Sequence, residues 1–253
     1  MTFAIEDVPA PARRAWNRLR AELERILGDD LVAIWAYGGT ITAPADAPFG
    51  DLDTFVIVRG PVEDSTARAI EEAQATIGEE TGVEWDVWYV TQEDAGRPEM
   101  HRHAWRDRLN ESWAIDRAHW LGERYVLLHG ADPAQIVPPP SETELAAALR
   151  AEVDHLERHV EAGDTDPYEA TYAFLNGTRI IRALETGDVV ISKREAGTWG
   201  LEHLPARWHP ALEAAVRAYD KRATGDDTVL LAREMAPFVA MVRQRMASTD
   251  TGR

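Results

Sequence analysis

The chain has 253 residues, 45% of them hydrophobic, which suits one large domain or two small ones and excludes a disordered acidic tail. Lys and Arg number 27 against 44 Asp and Glu, a formal charge of −17, so the chain has no global field to hold a polyanion and small cationic partners are favoured over nucleic acid. With no cysteine there are no disulfides, no thiol catalysis and no Cys-ligated zinc, and no apolar run reaches the roughly 20 residues that span a bilayer, so a soluble, cytoplasmic protein is expected.

Helical and strand patterns alternate in the first half. Pro11 to Leu27 places Trp16, Leu19, Leu23, Ile26 and Leu27 at helical spacing and stops at Gly28. Leu31 to Tyr37 reads as a strand closed by Gly38-Gly39. Leu52 to Val58 is a second strand, Ser65 to Ile77 a helix ended by Gly78, and Val83 to Val90 a third strand. Strands separated by helices predict a mixed sheet. Pro138-Pro139-Pro140 then interrupts every pattern, and Ser141 with Glu144 forms a capping-box signature. The predicted domains are 1–137, with the α/β sheet, and 141–253. The second is all helical: Glu142 to Val160, Pro167 to Leu184, Lys193 to Leu204, His209 to Tyr219 and Asp227 to Met246.

The chemistry concentrates between Leu31 and Val90. A strand ends in Tyr37-Gly38-Gly39-Thr40. A loop with small residues and two prolines follows, and then Asp51-Leu52-Asp53 opens the next strand. Side chains alternate along a strand, so Asp51 and Asp53 share a face. Two close carboxylates repel, and a divalent cation removes that penalty. Hard oxygen ligands suit Mg²⁺, which arrives with nucleotide phosphates. The glycine pair leaves backbone N–H groups open to such a phosphate. On the third strand Glu84 and Asp86 share a face, and either could bring a third carboxylate, as a metal ligand or as a base for a substrate hydroxyl.

The combination Tyr37-Gly38-Gly39 followed by Asp51-Leu52-Asp53 resembles the nucleotidyltransferase superfamily related to DNA polymerase beta. In the second half, Thr178-Arg179-Ile180, Thr186-Gly187, Lys193-Arg194-Glu195-Ala196-Gly197-Thr198-Trp199 and Glu202-His203-Leu204-Pro205 are similar to the helical domain of the aminoglycoside adenylyltransferases that modify streptomycin and spectinomycin. Core packing alone does not require this second pattern.

The resemblance implies an α/β nucleotidyltransferase domain followed by a helical bundle. It further implies Mg²⁺-dependent transfer of AMP from ATP to a hydroxyl of an aminoglycoside, and hence antibiotic resistance. Asp51 and Asp53 would hold Mg²⁺. Gly38, Gly39 and Thr40 would line the triphosphate, with Arg179 and Lys193 reaching its phosphates. The family's base is a glutamate on the third strand. Asp86 fits by its spacing to Glu93-Asp94, and Glu84 fits by residue type. Glu169, ten residues before Arg179, matches an acidic residue that contacts the drug. Trp105 and Trp113 are candidates for a substrate-stacking tryptophan. Gly39 stands where the family often has serine, and Thr54 where it has leucine. A monomer is expected. The rival readings are another hydroxylated metabolite or a protein as acceptor, or a silent nucleotide- or drug-binding sensor.

His155 and His159 lie one helical turn apart, but Glu157 does not follow the first histidine as in a zinc protease, so a solvated face is the simpler reading. His101-Arg102-His103 reads as surface.

Overall fold

Eighteen residues from Ala10 to Leu27 form helix α1 because Ala12, Ala15, Trp16, Leu19, Leu23 and Leu27 recur every three or four positions and all are buried. Gly28, at φ 53°, closes it. The computed structural model describes residues 3–42, 51–99, 102–163 and 166–250. The prolines and small residues of the loop between Gly39 and Asp51 lie outside the described residues, as does His101. The chain divides into two compact units, Met1–Ser141 and Glu142–Arg253.

In the first unit, strands β1 (Leu31–Ala36), β2 (Leu52–Val58), β3 (Trp85–Thr91) and β4 (Val126–Gly130) form one sheet in the order β3-β2-β1-β4. β1 is antiparallel to β2 and β4. β2 and β3 are parallel, joined through helix α2 (Asp64–Thr81). β1 and β2 are buried almost throughout, because both faces of the sheet are covered. Ile34, Leu52 and Val56 point into a core shared with α1 and α2. Trp35, Phe55, Ile57, Trp88 and Val90 point the other way, into an aromatic core with Trp113 and Trp120.

Two elements depart from expectation. α2 runs through Gly78 and ends at Gly82, whose φ of 69° suits a glycine cap. Gly78 serves packing instead: a Cβ there would lie 3.2 Å from the Val83 carbonyl oxygen. Strand β4 and helix α4 (Trp113–Leu121) are additional to the predicted pattern. α4 hides because its buried face includes Arg117, which is wholly inaccessible. The Arg117 guanidinium donates to the Pro138 and Pro98 carbonyls at 3.1 and 3.3 Å and lies over the Trp113 ring. A one-turn helix, α3 (Gln92–Ala95), follows β3.

The second unit contains α5 (Glu142–Glu161), α6 (Pro167–Thr186), α7 (Lys193–His203), α8 (His209–Tyr219) and α9 (Gly225–Asp250). α6 is its centre, packing on each of the other four. It is buried over much of its length from Ala170 to Ala183, Asn176 and Thr178 included. Close approach is built in: a Cβ on Gly177 would meet Phe238 at 2.8 Å, and one on Gly197 would meet Val216 at 2.5 Å. Among the described residues no helix is long and apolar enough to cross a membrane.

Candidate active site

Asp53 is the second residue of β2 and Asp86 the second of β3, and the parallel register makes them direct partners. Asp51 immediately precedes β2. One carboxylate oxygen from each of Asp51, Asp53 and Asp86 lies within 4.8 Å of the others. Asp51 is exposed, and the other two are partly buried. Like charges at this separation repel by roughly 3–4 kcal/mol per pair near a protein surface, and by less where water screens Asp51. Three converging hard oxygen donors with one open side fit Mg²⁺. Glu84 is exposed and precedes the first residue of β3, while its backbone carbonyl accepts a hydrogen bond from Leu52 N at 2.8 Å. The candidate pair Asp86 and Glu84 is thus separated: the structure brings only Asp86 to Asp51 and Asp53.

The glycine turn is pinned against the acidic strand. Tyr37 N donates to the Asp53 carbonyl at 3.0 Å. Thr40 Oγ1 donates to the Asp51 carbonyl at 3.0 Å. Gly38 adopts φ 80°, and a Cβ on it would lie 1.7 Å from Asp53 Oδ2. Only glycine fits both the conformation and the approach. Thr40 is buried, with its hydroxyl engaged on Asp51, so its side chain holds the turn and does not face the opening. Gly39 is partly exposed, and its carbonyl accepts from Thr42 N and Oγ1.

Beneath the carboxylates lies the aromatic core. Trp35 stacks on Phe55, and Trp120 touches Phe55, Trp35 and Tyr37. Burial pushes the Tyr37 hydroxyl well above its usual pKa, and the negative charges of Asp116, Asp53, Asp86 and Asp51 push it further. Tyr37 is therefore a neutral donor at the edge of the acidic cluster. Thr54, the departure from leucine, has its own reason. The buried Trp16 indole N–H donates to Thr54 Oγ1 at 2.9 Å, tying α1 to β2 between the catalytic candidates and the core.

Two participants carry no sequence signal, Arg108 and Asp116. Arg108 stands 3.8 Å from Asp86 and lies over the Trp88 ring, centroid 4.5 Å away. It lies 22 positions beyond Asp86 in a segment with no periodic pattern, so no sequence signal joins them. Asp116, on α4, joins the site through its charge on Tyr37. The tryptophan candidates are committed elsewhere. Trp113 is buried in the aromatic core, and Trp105 packs on Tyr89 and donates to Glu71.

In the second unit, Arg179 and Lys193 share one neighbour. Lys193 Nζ lies 4.8 Å from the centre of the Tyr172 ring. Arg179 acts electrostatically on the same tyrosine and donates to Asn176 Oδ1 at 3.1 Å. Lys193 is the first residue of α7, directly after Ser192, whose side chain caps the helix in a reciprocal box with Glu195. A cation there works against the positive end of the helix, a placement that local stability does not favour. Glu169 lies in the first turn of α6, 3.5 Å from His159.

Residues 135–245 match the family model described as the C-terminal domain of aminoglycoside adenylyltransferase. No curated protein matches the chain by sequence. Its fold is similar to the crystal structure of spectinomycin adenyltransferase AAD(9) from Enterococcus faecialis with ATP and spectinomycin. The identity is 18% and the TM-score 0.69, over 90% of this chain and 98% of that one. The expected architecture, a small mixed sheet with flanking helices followed by a helical domain, is borne out.

Proposed function

We propose that this chain, a nucleotidyltransferase carrying the C-terminal domain of the aminoglycoside adenylyltransferase family, moves AMP from ATP to a hydroxyl of an aminoglycoside such as spectinomycin or streptomycin. The observation that carries the reading is the convergence of Asp51, Asp53 and Asp86 beside a glycine turn that tolerates no side chain. Asp51 and Asp53 would hold Mg²⁺, which supplies neutralising charge to the triphosphate and to the transition state. The backbone of Gly38 and Gly39 gives that phosphate close access. For Arg179 and Lys193, on α6 and α7, the family resemblance implies a phosphate-binding role, and such a role accounts for a lysine at a helix start.

The acceptor hydroxyl gives its proton to the Asp86 carboxylate as its oxygen attacks the α-phosphorus. The new P–O bond forms as the bond to the β-phosphate breaks, and pyrophosphate leaves. Arg108, 3.8 Å from Asp86, is the cation beside that carboxylate. Catalysis of this kind rests on positioning and electrostatics. A chain of charge −17 suits a polycationic acceptor, and Glu169 supplies a carboxylate on the helical unit for an ammonium or guanidinium group.

The test is mass spectrometry of spectinomycin, streptomycin and kanamycin after incubation with the protein, ATP and Mg²⁺. An added AMP on one drug names the acceptor. Unmodified drugs throughout would remove the aminoglycoside reading.

A further inference from the structure

We propose a second metal site, on the helical unit, in which His155 and His159 of α5 and Glu169 of α6 bind a transition-metal dication of the Zn²⁺ kind. The three side chains each place a ligand atom within 4.8 Å of the others. The two imidazoles stand 4.6 Å apart, centre to centre, at 63°. His159 Nδ1 already lies 3.5 Å from a Glu169 carboxylate oxygen, and both side chains are about three-quarters shielded from water. Ligands around a tetrahedral ion at about 2.1 Å sit roughly 3.4 Å from one another. The His159–Glu169 pair, at 3.5 Å, already has that spacing.

α6 begins at Pro167, with the Asp166 side chain accepting from Tyr168 N at 2.8 Å, which fixes Glu169 one turn inside. Tyr172 packs its ring 5.7 Å from His155 and donates its hydroxyl to Glu152 at 3.1 Å. Imidazole nitrogens favour Zn²⁺, Co²⁺ or Cu²⁺ over Mg²⁺, which prefers the all-oxygen cluster of the first unit. Two histidines and a glutamate form a three-ligand zinc set with one position left for water. The site is not hydrolytic in the manner of a zinc protease. Glu157 is engaged with Arg243 and does not stand beside the ion as a base. The bound ion would clip α5 to α6, and while it is bound it competes with a cationic acceptor group for the Glu169 carboxylate.

The full chain would be dialysed against Zn²⁺ with excess Mg²⁺ present to fill the all-oxygen cluster, and bound Zn²⁺ measured. The expected result is one Zn²⁺ per chain, with affinity at least about tenfold weaker in His155→Ala and in His159→Ala. Zn²⁺ at about ten times the native Kd should raise the melting temperature of the native chain by a few degrees and shift both variants by less than half as much. Co²⁺ in place of Zn²⁺ should give a visible ligand-field spectrum that His159→Gln, a variant that keeps the helix, abolishes. Absence of retained Zn²⁺ under Mg²⁺, or equal retention by the native chain and all three variants, would overturn the site.

Discussion

Gly38 and Asp53 are fitted so closely that a single β-carbon on the glycine would fall 1.7 Å from the aspartate's Oδ2. The turn and the carboxylate thus form one unit. Gly38→Ala must either displace Asp53 or distort a backbone at φ 80°. Transfer should fall by about 10²-fold or more while far-UV circular dichroism stays native, since misplacement by about 1 Å costs that much. Steady-state kinetics beside a folding control checks this.

Asp86 and Glu84 should separate cleanly. Only Asp86 shares the cluster, and Glu84 is exposed before β3 begins. Asp86→Asn should lower kcat by about 10²–10⁴-fold, the range for loss of a general base. Glu84→Gln should leave kcat within about twofold of native. The reverse order would assign the base to Glu84.

Thr54→Val should act on stability before it acts on chemistry. It removes the acceptor for the buried Trp16 N–H at nearly constant volume. An orphaned buried donor costs about 1–3 kcal/mol. The denaturant midpoint of the first unit should fall, and Thr54→Ser should recover most of the loss.

Asp227 gives the helical unit an acid limit. Hydrogen bonds from Arg217, at 2.6 and 3.2 Å, together with those from Thr224 N and Oγ1, hold its carboxyl far below the usual carboxylate range. A depressed carboxylate stabilises the fold above its unfolded pKa of about 4, and that contribution fades as pH falls through the folded value. Asp227→Asn should lower the melting temperature at pH 7, and the difference from native should shrink steadily below about pH 4. A pH series of melting curves tests it.

What the sequence carried depended on whether a residue's neighbours were near in the chain. β2 was legible to its ends, Leu52 to Val58, and so was α8, because their periodicities are unbroken. α4 was hidden by Arg117, whose burial depends on the carbonyls of Pro98 and Pro138 far away in sequence. Asp51 and Asp53 announced themselves by spacing. The preference for Asp86 over Glu84 in space follows from the Asp53–Asp86 register, which sequence does not print. Arg108 was invisible for the same reason. The helical-domain pattern also divides in two. Thr178, Ala196 and Gly197 are buried packing residues, so core packing does demand part of that motif, whereas Arg179 and Lys193 keep partial exposure.

The central claim is that the three-carboxylate cluster is the centre of nucleotidyl transfer. The most direct measurement is acceptor-dependent release of labelled pyrophosphate from ATP, with the native chain and with Asp53→Asn. The account predicts release that requires Mg²⁺ and an aminoglycoside, and that Asp53→Asn lowers at least about 10³-fold with the fold intact. Undiminished release from Asp53→Asn would contradict it.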